Sequence, residues 1–191
     1  MHRMHSTWFI TGAASRLGSD IAKAALAQGD RVVATDGDAG ALAIALAALA
    51  SPRLQLRPLD VADGRAVAAA VAEATERFGR LDVVVHGEPL RQDGGTLGRW
   101  PATELVRGLF NVTRAALPAM RAQRGGRIHH LVPPAKPGAG ASLFSMAGFC
   151  AAVAADVAAD RVTVDAVEPG EAHARLFAPW AQGEDHLLEE A

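Results

Sequence analysis

Three short stretches of this sequence hold side chains suited to moving a proton: His86 and Glu88 in "HGEP", the adjacent His129 and His130 in "RIHHLV", and Glu171 and His173 just after Pro169-Gly170. Histidine titrates near neutral pH, and a carboxylate close by can support its charge, so His86 and Glu88 form the leading acid/base pair. His129 and His130 are neighbours whose side chains leave a strand by opposite faces, so they cannot serve one centre. His129 shares parity with Pro133 and stands as a third catalytic candidate. A metal held by His86, Glu88 and His173 needs convergence that their spacing does not supply, and none is expected.

The elements that must position these groups alternate. Runs rich in β-formers lie at 7–11, 31–35, 54–60, 81–86, 127–132 and 161–167, separated by Ala-rich stretches of helical length at 16–29, 39–50, 64–78, 102–122 and 141–160. Unbroken apolar runs such as Val83-Val84-Val85 suit strands buried on both faces, and intervening helices force parallel pairing with right-handed crossovers. The pattern predicts an α/β fold with a doubly wound parallel sheet in one domain, 1–191, with a short tail at 176–191. Ligands of such sheets bind beyond the carboxyl ends of the strands at the topological switch point, so "HGE" is expected in or beside that crevice. The Gly- and Pro-rich stretches 87–101 and 133–140 read as loops.

Composition narrows the partners. A formal charge of -2 over 191 residues, with arginines scattered, gives no single-sign field, which argues against nucleic acid and anionic membranes and for small molecules or proteins. The lone Cys150 cannot form an intramolecular disulfide, and the N-terminus lacks a long apolar stretch, so a cytoplasmic location is expected. "FCAAVAADVAAD" is interrupted by Asp156 and Asp160, so no membrane span is expected.

The turn "TGAASRLG", Thr11 to Gly18, follows the first strand and runs into a helix. Gly12 suits the tight bend, the helix N-terminus offers N–H groups to a pyrophosphate, and Gly18 permits close packing. Asp36, at the end of the second strand, suits the two hydroxyls of a ribose and repels a 2′-phosphate, favouring NAD over NADP.

With "TGAASRLG", "LDVAD", "RFGRLDVVVHGEP", "NVTRAALPAM", "GGRIHHLV" and "VTVDAVEPG" in this order over about 6–175, the chain resembles the short-chain dehydrogenase/reductase family. The resemblance implies a Rossmann-like sheet of strand order 3-2-1-4-5-6, here without the family's seventh strand and substrate lid. It implies dinucleotide contacts at Thr11, Gly12, Arg16, Leu17, Gly18, Asp36, Asp60, Val61 and Gly87, with Asp60 also suited to capping the next helix. Arg16 departs from the family's middle glycine, a substitution also seen in the pteridine-reductase branch.

The family's catalytic groups are a different matter. Its tyrosine and lysine, four residues apart, fall on Phe144 and Gly148; its serine falls on Pro133; its relay asparagine falls near Leu105 to Arg107; a customary threonine falls on Ala174. The chain contains no Tyr at all. Loss of a placed acid/base costs roughly 10²–10⁴-fold, so ordinary carbonyl reduction is not expected. The favoured expectation is a non-redox small-molecule enzyme of cyclase, dehydratase or isomerase type. The alternatives are a catalytically dead dinucleotide-binding or scaffold subunit, and an NAD-dependent oxidoreductase with a substitute acid. NAD, or no cofactor, is compatible with the retained adenine half. The helices at 102–122 and 141–160 are expected to pair in a homodimer or with a relative of the same fold.

Overall fold

The computed structural model describes residues 5–49, 51–87, 102–132 and 140–178, with side chains left undescribed at 102–105 and 140–145. Within them lie six strands, β1 (Thr7–Thr11), β2 (Arg31–Asp36), β3 (Leu54–Pro58), β4 (Val83–His86), β5 (Gly126–Leu131) and β6 (Val162–Val167). Helices α1 (Arg16–Ala27), α2 (Ala39–Ala45), α3 (Gly64–Phe78), α4 (Ala102–Ala122), α5 (Gly140–Val157) and α6 (Ala172–Leu176) accompany them. The strands form one sheet in the order β3-β2-β1-β4-β5-β6, every pair parallel.

Side-chain alternation divides the interior into two cores. Phe9, Val33, Val84 and Ile128 face α3, α4 and α5. Trp8, Ile10, Val83 and Val85 face α1, α2 and α6. β1 and β4 are buried along their whole length, which explains their unbroken apolar sequence. Their N-terminal ends are pinned by buried carboxylates: Asp30 accepts from Ser6 N–H and the Trp8 indole, and Asp82 accepts from Thr7 N–H.

Some element ends differ from the sequence expectation. α2 stops at Ala45 rather than 50, because only Leu42 of its residues is buried and Ile44 stays 80% exposed. β3 ends at Pro58 rather than 60, though Leu59 N–H still donates to Asp36 O of β2 at 2.9 Å. α5 ends at Val157, followed by a 3₁₀ turn and Arg161 at φ 57°. α6 precedes the expected tail at 176–191 and was not anticipated; Leu176 is its buried anchor. Among the described residues no helix is long and apolar enough to cross a membrane.

Candidate functional site

The switch point lies between β1 and β4, where chain order reverses. Gly12 at φ 65° turns the chain out of β1, and Ala13 N–H donates to Thr35 O of β2. Ser15 closes the turn: its hydroxyl donates to Gly12 O at 2.7 Å and accepts from Gly18 N–H at 3.0 Å, capping α1. A methyl group on Gly18 would lie 2.4 Å from Gly12 O, so only glycine lets α1 approach this closely. Arg16 is exposed in the first turn of α1, Leu17 half-buried beside it.

Asp36 closes the end of β2. It is wholly buried, with one carboxylate oxygen accepting from Ala14 N–H at 3.1 Å and the other from Asp38 N–H at 3.0 Å. The carboxylate therefore ties the end of β2 to the glycine turn, and each oxygen keeps a further lone pair. Asp60 does not cap α3. Its carboxylate accepts from Ala62 N–H, while Asp63 caps the helix by accepting from Arg65 and Ala66 N–H. Val61 is buried, and its carbonyl accepts from Asn111 Nδ2 of α4 at 2.9 Å.

The histidines are turned inward. His86 Nδ1 is hydrogen-bonded to Thr11 Oγ1 at 2.9 Å, and Gly87 N–H donates to the same oxygen at 3.3 Å. Burial pushes the His86 pKa down to about 4, so the ring is neutral at physiological pH. The side chain is buried against α4, where Gly108 leaves just enough room for the ring. His130, cross-strand from His86, contacts Thr113 Oγ1 through Nε2 at 2.9 Å. Because Thr113 gives its only hydroxyl proton to Leu109 O, it accepts from His130, which fixes that ring as the Nε2–H tautomer.

His129 leaves by the opposite face of β5, as strand parity required. It is also buried, with its pKa pushed down to about 3 by burial first and then by Arg127 and Arg175. Its nearest acidic group is Asp165, 3.7 Å away on β6. Neither His86 nor His129 presents a proton to the crevice at neutral pH. Glu171 is exposed and pairs with Arg175, and His173 lies against the Phe177 ring, which stacks on Trp8. Glu88 and Pro133 lie outside the described residues. Phe144 lies on α5 with its side chain undescribed; Gly148, a turn further on, faces open space. The Cys150 thiol is pushed up to about 12 by burial and is unreactive.

Sequence reasoning missed Ser15, Asp63, Gly108, Asn111 and Thr113. Asn111 carried a signal: it is the only asparagine in the chain, and a mid-helix asparagine needs a reason, here the carbonyls of Val61 and Ala62.

A parallel sheet of this order with a glycine turn at its switch point defines a Rossmann-like protein. The chain belongs to the short-chain dehydrogenase family, whose model matches residues 6–185. It is 31% identical over 181 residues to Oxidoreductase BOA17 of Botryotinia fuckeliana, covering 87% of this chain and 66% of the relative. It is 35% identical over 181 residues to 2-(R)-hydroxypropyl-CoM dehydrogenase of Xanthobacter autotrophicus, covering 84% and 72%. The structure of a short-chain dehydrogenase from Streptomyces avermitilis superposes with TM-score 0.69 at 29% identity over 88% of this chain and 66% of that one. The structure of NAD⁺-bound xylitol dehydrogenase, at 21% identity and TM-score 0.71 over 87% and 71%, shares the fold. The chain spans about two thirds of the length of these relatives.

Proposed function

We propose that this chain works as a non-catalytic subunit of short-chain dehydrogenase fold, keeping the nucleotide turn as a shape rather than as half of a redox site. The observation that carries this reading is the inward placement of His86, buried and hydrogen-bonded to Thr11, which removes one half of the leading acid/base pair. The absence of Tyr from the chain supports it independently. A cyclase, dehydratase or isomerase would need a proton donor in the crevice, and neither His86 nor His129 supplies one.

Any dinucleotide binding rests on the adenine end. Gly12 and Gly18 keep the close approach of α1, and the Asp36 carboxylate, each oxygen of which accepts one backbone N–H, keeps lone pairs for ribose hydroxyls. NAD and adenosine diphosphate are therefore expected to bind about equally. Calorimetric titration tests this; NAD binding much tighter than adenosine diphosphate overturns it.

A second reading, an NAD-dependent oxidoreductase with a substitute acid, is favoured by the relatives, which include an oxidoreductase and a dehydrogenase. Consumption of NADH with a panel of ketones separates the two. Turnover supports this second reading, and its absence at high enzyme concentration supports the first.

A further inference from the structure

The amino end of the sheet, opposite the glycine turn, gathers arginines that lie far apart in the sequence. Arg31 opens β2, Arg53 immediately precedes β3, and Arg77 stands in the last turn of α3. Val32 N–H donates to Arg53 O at 2.8 Å, so the first two are neighbours across the ladder. Arg53 shares a strand face with Gln55, which reaches Glu73 of α3, and Arg31 shares one with Val33, which packs in the core beneath α3. All three arginines therefore lie on the α3 side of the sheet.

Phe78 is the centre of the group. The guanidinium carbon of Arg31 lies 5.9 Å from its ring centroid and that of Arg77 5.2 Å, and Arg31 Nη1 donates to Phe78 O at 3.0 Å. An arginine laid on an aromatic ring is held in place before a ligand arrives, so it loses less freedom on binding while its outward N–H groups stay available. Arg53 and Arg77 are exposed, and Arg31 is half-buried.

The carboxylates at this end are engaged elsewhere. Asp30 and Asp82 are buried, the first accepting from Ser6 N–H and the Trp8 indole, the second from Thr7 N–H and Arg80 Nε. Glu73 pairs with Arg57, and Glu76 lines the groove that α3 forms with Pro118 and Ala119 of α4. Among the described residues no carboxylate makes an ion pair with Arg31, Arg53 or Arg77. A guanidinium grips two oxygens of a phosphate with parallel N–H donors, and linked phosphates present such oxygens in succession to guanidiniums arriving from separate elements.

We infer that Arg31, Arg53 and Arg77, set around Phe78, bind an oligophosphate group of two or more linked phosphates. Ligands of open α/β sheets bind at the carboxyl ends of the strands, so this site at the amino ends is separate from the glycine turn.

Inorganic tripolyphosphate is the probe, titrated calorimetrically into the full chain at low ionic strength. The wild type is expected to bind it at least about tenfold more tightly than orthophosphate or citrate, and to lose affinity as salt is added. Arg53→Gln/Arg77→Gln should weaken tripolyphosphate binding at least about tenfold, with circular dichroism and the thermal midpoint remaining those of the wild type. No binding by the wild type, citrate bound as tightly as tripolyphosphate, or an unchanged affinity in the folded variant overturns the inference. If the double variant does not fold, Arg53→Gln alone takes its place, and an unchanged affinity has the same force. Adenosine triphosphate identifies the source of the phosphates: tighter binding than tripolyphosphate, lost in the variant, supports the site as one for a nucleotide, and weaker binding supports it as one for free polyphosphate. Binding is read without NADH or ketone, so a failure here leaves the non-catalytic reading standing, and ketone turnover defeats that reading without touching this one.

Discussion

His86 and His130 sit opposite each other on adjacent parallel strands, ring centroids 5.4 Å apart and planes at 73°. Each is tied to a threonine, His86 to Thr11 on β1 and His130 to Thr113 on α4, so a line of four polar side chains crosses the carboxyl end of the sheet inside the core. Two imidazoles this close in an apolar setting cannot both be charged at small cost. Burial, and then each neighbouring histidine, lowers the His130 pKa well below its ordinary value.

That arrangement makes stability depend on pH in a stated direction. Unfolded imidazoles bind a proton near 6.5, whereas folded His86 does so only near 4 and His129 near 3. Below 6.5 the unfolded chain binds more protons, so stability is complete above that pH and is lost as pH falls. Between about pH 7 and about pH 5, a window above most carboxylate titrations, each of these two histidines should remove about 2 kcal/mol. Urea unfolding at the two pH values checks it, with His86→Asn expected to flatten the difference by its share. Equal stability at both values would show that the rings reach solvent.

How much of this was legible beforehand differs between backbone and site. Val83-Val84-Val85 marked a strand buried on both faces, and the alternation of strands with helices gave the parallel order. Parity also placed His129 and His130 on opposite faces. Depth was not legible: the same pattern that puts His86 at a strand end beside the crevice does not tell whether its ring turns out or under α4. That depended on Gly108, seen in the sequence only as one glycine among nineteen, and on Thr11, whose hydroxyl meets the ring across the sheet. Nor was it legible that the Asp36 carboxylate also accepts from the backbone N–H of Ala14, tying β2 to the glycine turn.

Thr113→Val should show what the polar line contributes. The substitution keeps the shape and removes the acceptor for His130 Nε2–H, leaving a buried donor unsatisfied at a cost of about 1–3 kcal/mol. Thr113→Ser, which keeps the hydroxyl, should lose less. Both are read from denaturant midpoints at neutral pH, and a valine variant as stable as the wild type would mean that His130 finds another acceptor.

Two glycine substitutions should act in opposite directions. In Gly18→Ala the new methyl group meets Gly12 O at 2.4 Å and Ala13 Cα at 2.9 Å, both backbone, so the turn must shift. A loss of about 1–3 kcal/mol or more is expected from such overpacking. In Gly148→Ala nothing lies within 4 Å of the added carbon, and helix propensity alone should add up to about 1 kcal/mol. Thermal midpoints falling for the first and rising for the second are the expected outcome; two changes of the same sign would contradict the packing described at the turn.

Phe144 and Gly148 lie four residues apart on α5, where the family resemblance places a tyrosine and a lysine. Replacing both, Phe144→Tyr with Gly148→Lys, should leave the fold intact, since the space beside Gly148 is open and lysine favours a helix over glycine. Carbonyl reduction should nevertheless stay undetectable. Pro133 offers no hydroxyl to orient a carbonyl, and His86 and His130 hold their ring nitrogens inside the core. Groups that act as a unit contribute far less when restored in part, so a tyrosine and a lysine alone should recover little of the rate that the full set supplies. NADH consumption with a ketone panel, run for the wild type and the double variant at matched stability, decides it: turnover by the variant alone would mean that these two positions were the whole of the loss.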